Sequence, residues 1–148
     1  MSITFTNVAK FEKTLSEFAS RMNVNIDIVI KKVAFDIYRG VTEKTPVDTG
    51  YARASWNISP NTIDSSVENE KAHTIHGEAG RAKAESVNNK KVQIANSKGN
   101  PLTWFITNNV KYIVELERGH SRQSSHMVRR TLNEVRFNLA SILRDIKK

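Results

Sequence analysis

Two histidines three residues apart, His73 and His76, with Glu78 two positions further on, have residue types that hold metals. On a helix they would share a face and could offer imidazole nitrogens to zinc. The spacing is not the His-Glu-x-x-His of zinc proteases, and the segment around it is polar and poorly patterned, so solvent-exposed loop histidines are the expectation. His120 and His126 flank Ser121, Ser124 and Ser125. A serine nucleophile needs a base and a third group to orient that base. No strand–Gly-x-Ser-x-Gly–helix pattern supplies such an arrangement, and loop and helix-cap duties account for these serines. Asp48, Glu115 and Glu117 are candidate acids, but nothing in the sequence pairs them, and Glu117 before Gly119 is placed to bond backbone or an arginine. The six glycines are scattered and form no phosphate-binding loop. No catalytic, metal or cofactor site is expected.

Charge supplies a different chemistry. The 148 residues carry a net charge of +8, and the excess gathers at the C-terminal end, where residues 111–148 hold nine basic and four acidic side chains. Arg129, Arg130, Arg136 and Arg144 fall off the apolar stripe of the last helical segment. They are candidates for a subunit interface or for phosphate contacts of the backbone, salt-sensitive kind. No named DNA-reading motif accompanies them. There are no cysteines, which excludes disulfides, thiolate metal sites and cysteine nucleophiles. No apolar run reaches 18 residues, and Met1 to Lys10 lack a basic-then-apolar pattern. The expectation is a soluble single domain with neither membrane span nor signal peptide.

The elements that would position these groups are legible in part. Phe11, Leu15, Phe18, Met22, Ile26, Val29, Val33 and Ile37 recur at three and four, the stripe of a long N-terminal helix, widened by Ile30, Ala34 and Val41. Asn23 and Asn25 predict a break, with Asn25 as cap of the second piece, Ile26 to Lys44. Pro46 pushes Thr45 out of the α region and ends the helix. Asp48 and Gly50 then predict a turn, and Arg53 to Ser59 an extended segment with Trp56 and Ile58 on one face. Residues 60–90 are poor in large apolar side chains and read as a long polar arm, projecting or flexible, with a weak helix around Glu78 to Val87 as the other reading. Lys91 to Asn96 is predicted as a strand. Leu102 to Thr107 is a second strand, central or covered on both sides because Trp104 and Phe105 point oppositely. Val110 to Glu117 predicts one or two helical turns closed by Gly119. Val128, Leu132, Val135, Leu139, Ile142 and Ile146 mark a C-terminal amphipathic helix, capped at Ser124 or Ser125, favoured at its end by Lys147 and Lys148, and packed on the sheet or the first helix. Segregated helices and a small antiparallel sheet make an α+β fold.

The corner itself carries the most specific pattern: Thr45, Pro46, Val47, Asp48, Thr49, Gly50, Arg53, Ser55 and Trp56. Downstream stand Asn108-Asn109, Tyr112 and Glu117-x-Gly119. Together, in this order and behind a long helix, the two blocks resemble the tail-component family typified by HK97 gene product 10. That family includes minor tail, tail-completion and neck proteins of siphophages. Lys111 stands where the family commonly has proline. The resemblance implies a non-enzymatic virion protein of the tail or neck, present in the host cytoplasm during assembly. Such a protein works as a homo-oligomeric ring, often six-fold, around the DNA channel, with other tail or neck proteins and genomic DNA as partners. Within the corner, Arg53 has no evident local task and is the residue that points to a subunit contact. The alternative is a small basic nucleic-acid-binding protein.

Overall fold

The computed structural model describes residues 8–23, 25–123 and 126–146. Among them the fold is mixed α+β, with seven α-helices and a two-stranded antiparallel sheet. The N-terminal stripe folds as α1 (Val8–Met22) and α2 (Ile26–Lys44). The break falls where the asparagines predict it. Asn23 takes a φ of 54°, and Asn25 caps α2 by accepting the Asp27 N–H at 2.8 Å. Leu15, Val29, Val33, Ile37 and Val41 are buried, and Ile26 and Ile30 pack at the margin. The side chains of Phe11, Phe18 and Met22 lie outside the described residues.

Thr45 is extended, with φ −67° and ψ 126°, as the following proline requires. The chain beyond Gly50 departs from the expected strand. Gly50 sits at φ +82°, which lets Ala54 N–H reach Gly50 O at 2.8 Å and winds Tyr51–Ala54 into a helical turn, α3. The extended segment starts later, at β1 (Asn57–Pro60), and pairs with β2 (Trp104–Thr107) in the register Asn57↔Thr107, Ile58↔Ile106. In a sheet of two strands, β2 is neither central nor fully covered. Ile106 is buried, whereas Trp104 and Phe105 are half-buried, Trp104 against Phe35 with ring centroids 5.4 Å apart.

The polar stretch does lie between the strands, but it does not project. Asn57 Nδ2 donates to Ser66 O at 2.7 Å, Thr107 Oγ1 to Asp64 O, and Glu68 N–H to Ser55 Oγ at 3.2 Å, strapping residues 61–69 to the body. After a 3₁₀ turn at Glu70–Ala72 comes α4, the 20-residue helix Gly77–Asn96, which packs on α3 and β1. Lys91 to Asn96, expected as a strand, is its last third. The other reading, a weak helix around Glu78 to Val87, falls within α4, but the apolar pattern gives neither its length nor its face, because the buried residues are Gly80, Ala84, Asn88 and Ala95, small or polar residues at helical spacing.

Val110 to Glu117 forms the expected short helix, α5 (Ile113–Glu117), with Gly119 after it at φ +98°. The C-terminal stripe is carried by two helices, α6 (Met127–Phe137) and α7 (Leu139–Ile146), which separate at Asn138. Asn138 O accepts from both Ser141 and Ile142, so the second helix starts as the first ends. α6 docks on α2 where Gly40 leaves room: a Cβ there would meet Thr131 Cγ2 at 2.4 Å. Ser124, Ser125, Lys147 and Lys148, expected as cap and terminal charges, lie outside the described residues. No helix among the described residues is long and apolar enough to cross a membrane.

Candidate functional site

The end of α2 exposes orphan carbonyls, and the corner exists to satisfy them. Arg53 is 5% exposed, and its guanidinium donates twice to Thr45 O, at 3.1 and 2.8 Å, and once to Glu43 O at 2.8 Å. Glu85 lies 3.9 Å away as a distant counter-charge. Burial, and after it the charge of Arg81, lowers the pKa of this group from its ordinary value, with Glu85 opposing. Arg53 therefore closes a helix from inside the fold, which corrects the expectation of a surface contact. Thr45 works beside it. Its hydroxyl donates to Val41 O at 2.6 Å and accepts the indole N–H of fully buried Trp56 at 2.8 Å.

α4 seals the other side. The Tyr38 hydroxyl sits between Trp56 O at 3.2 Å and Asn88 Oδ1 at 3.1 Å, and burial raises this phenol's pKa above its usual range. Asn88 Nδ2 donates to Arg53 O at 3.3 Å. The Lys91 ammonium donates to Ala54 O at 2.6 Å, Trp56 O at 3.1 Å and Asn57 Oδ1 at 3.0 Å, and pairs with Glu68 at 3.0 Å. The two backbones touch at paired glycines: a Cβ on Gly50 would meet Gly80 O at 2.2 Å. Asp48 O accepts the Gly77 N–H at 2.9 Å, and its carboxylate pairs with His76 at the surface.

The downstream block closes onto the corner. Asn108, fully buried, donates from Nδ2 to Ala52 O at 2.8 Å and accepts the Val110 N–H at 3.1 Å. Glu117 takes the cap duty assigned to the serines, its two oxygens accepting the Val128 and Arg129 N–H groups at 2.8 and 3.1 Å. His126 precedes α6 at φ +57°. Gln123 bridges back to Val47, accepting its N–H at 2.8 Å and donating to its carbonyl at 2.6 Å. Residues 45–56 and 108–119 thus form one unit.

Two clefts flank that unit. One, of about 310 Å³, is lined by Asp48, Tyr51, Glu70, His73 and Tyr112 with the backbone of the turn. The other, of about 270 Å³, is lined by Glu43, Lys44, Arg53, Arg81 and Arg130. His73 is 4% exposed and stacks at a tilt near Tyr51, with ring centroids 6.1 Å apart. Burial, then the charge of Lys83, lowers its pKa, so the ring is neutral near pH 7.

The other candidates stay apart. His73 is buried, His76 faces Asp48, and Glu78 pairs with Arg81 at 3.4 Å. Among the described residues no group of three or more His, Cys, Asp or Glu is gathered for a metal. Ser121 Oγ accepts the Gln123 N–H at 3.2 Å, a local turn contact. Arg129, Arg130, Arg136 and Arg144 are all exposed, as their position off the stripe predicts. Tyr38, Asn88, Lys91 and Gln123 escape sequence reasoning. Their partners are 18 to 76 residues distant, and only the polar face of α4 could have hinted at them.

No protein-family model, curated protein sequence or solved structure matches the chain.

Proposed function

We propose that the protein is a non-enzymatic structural subunit of a tailed-phage virion. It acts in tail completion or head–tail joining as a homo-oligomeric ring around the DNA channel, alongside other tail or neck proteins. The observation that carries this reading is the bond from Asn108 to the Ala52 carbonyl. It makes one physical unit of the two sequence blocks on which the resemblance rests. Arg53, Trp56, Asn108 and Glu117 of that unit, with Gln123 just after it, all bond to scaffold atoms. What remains outside is suited to contact. Phe137 is 88% exposed, Leu102 62% and Tyr112 42%, and the arginines of α6 are exposed beside Phe137. Electron microscopy of the purified protein at high concentration, alone and with tail tubes, tests the reading. Rings or capped tubes are the expected result. A protein that stays monomeric and never binds tails overturns it.

The exposed Arg129, Arg130, Arg136 and Arg144 favour one second reading, a nucleic-acid-binding protein with contacts to phosphates only. Among the described residues none of the four has an ion-pair partner. A monomer using all four would lose DNA affinity with a log–log salt slope of about −3.6, at roughly −0.9 per neutralised phosphate. In the virion reading the same residues meet neighbouring subunits or line the DNA passage. Reversing Arg129 and Arg130 to glutamate then impairs assembly or DNA retention, and normal infectious particles from that variant would count against it.

A further inference from the structure

The 310 Å³ cleft beside the corner has a lining that suits a cation. Tyr51 and Tyr112 stand with ring centroids 6.5 Å apart, and Asp48 and Glu70 complete the wall with negative charge. Aromatic faces and carboxylates together attract a guanidinium or ammonium group. Burial raises the pKa of both phenols, and Glu70 adds to it, so the carboxylate lies within electrostatic reach of both rings. His73 lines the same cleft as a buried ring tilted near Tyr51. A planar guanidinium, with five donors and an affinity for aromatic faces, answers all these features at once.

The chain carries such a group on another surface. At the end of α6, Arg136 is exposed and stands next to Phe137, which is 88% exposed. One helix end therefore offers a cation and an aromatic ring side by side, the complement of carboxylates and tyrosines. We propose that Arg136 of one copy docks into the Tyr51–Tyr112 cleft of the next, with its charge facing Asp48 and Glu70 and Phe137 lying against Tyr112. Cleft and helix end are different patches, so the contact is head-to-tail, the kind that closes into a ring or runs on as a filament. This assignment rests on the ring reading above.

Complementing variants of the full chain test it, read by sedimentation velocity and native mass spectrometry. Arg136→Glu keeps the cleft and loses the plug. Glu70→Gln with Tyr112→Ala keeps the plug and loses the cleft. Each alone weakens self-association about 30-fold, a change of roughly 2 kcal/mol. Mixed, they have one intact interface between them and form a 1:1 dimer that grows no further, which also shows that both are folded. Wild-type rings accompanied by unimpaired rings of Arg136→Glu would overturn the cleft assignment and leave the ring reading standing. A mixture that stays monomeric while wild type assembles would overturn it equally. A wild-type protein with no self-association and no tail binding would remove the ring reading itself.

Discussion

Replacing Arg53 with alanine separates a scaffold role from a surface role at the corner. The guanidinium makes three hydrogen bonds to two carbonyls at the end of α2. Thr45 is 0% exposed in the folded protein, and its carbonyl loses both donors. An unsatisfied buried acceptor costs about 1–3 kcal/mol. Glu43 is exposed, so water recovers much of the third bond at a cost of roughly 0.5 kcal/mol. The packed stem leaves a void worth about 1 kcal/mol. Against this, the charged group no longer has to be desolvated, which offsets part of the loss. The net expectation is about 3 kcal/mol of destabilisation, or roughly 6–12 °C in Tm for a domain of this size. In urea the midpoint should fall by about 1.5 M at an m-value near 2 kcal/mol/M. Arg53→Lys keeps a positive charge but not the fork, and should lose about half as much. Glu85→Gln should cost less than about 0.5 kcal/mol, because its carboxylate is 59% exposed and 3.9 Å distant. An Arg53→Ala protein within about 0.5 kcal/mol of wild type that nevertheless fails to assemble would refute the helix-closing argument.

The glycines of the corner should grade by what surrounds them. Gly50→Ala combines φ +82° with a Cβ 2.2 Å from Gly80 O, whereas Gly77→Ala has φ +67° and open space. Thermal melts should show about 3 kcal/mol or more for the first and about 1 kcal/mol for the second, and equal losses would contradict the close-approach account. Glu117→Ala removes both cap bonds of α6 and should cost about 1–2 kcal/mol, with faster hydrogen exchange at Val128 and Arg129. The pH dependence should carry the mark of His73. Its pKa is lowered in the fold, so the native state binds fewer protons than the unfolded chain. Its contribution is complete above the unfolded pKa of about 6.5 and is lost as pH falls toward the folded value. Urea melts of His73→Asn should be flatter than wild type below that point, and parallel curves would show that burial does not hold the ring neutral.

The legible parts of the fold are those where one residue type fixes a local state. Asn25 caps α2, Pro46 ends it, and Gly50 takes the positive φ that the turn needs. The three-four stripe of the N-terminal helices is visible because its buried residues are large and apolar. α4 shows only as a weak helix around Glu78 to Val87, since Gly80, Ala84, Asn88 and Ala95 bury small or polar groups and give no apolar period. Its partners are polar atoms of the corner, reached by Asn88 and Lys91 across 34 residues or more. Arg53 is the sharpest case. Its acceptors are only eight and ten residues back, yet the reversal of direction that brings them together is a tertiary fact. The cleft residues Tyr51, Tyr112 and His73 are likewise gathered by α3, α5 and the 3₁₀ turn, which no single stretch of sequence encodes.

The two clefts argue for the geometry of the proposed assembly. They meet along Pro46 and Gln123, which line both. On one side stand Asp48 and Glu70; on the other stand Lys44, Arg81 and Arg130, with Glu43 the one acid. A two-fold contact centred within either side alone would bring like charges face to face, because residues near an isologous axis meet their own copies. Like charges in a desolvated contact are destabilising, so this polarity favours a contact between unlike faces. A head-to-tail contact of that kind closes into a ring or runs on as a filament. A ring also multiplies the net charge of +8 of each subunit, which is unfavourable in isolation and favourable around a polyanion. The charge pattern that favours a nucleic-acid-binding reading is thus equally in keeping with the proposed ring. Raising salt should then loosen the contact between unlike faces together with the hold on DNA, and rings that tighten as salt rises would contradict a charge-complementary contact.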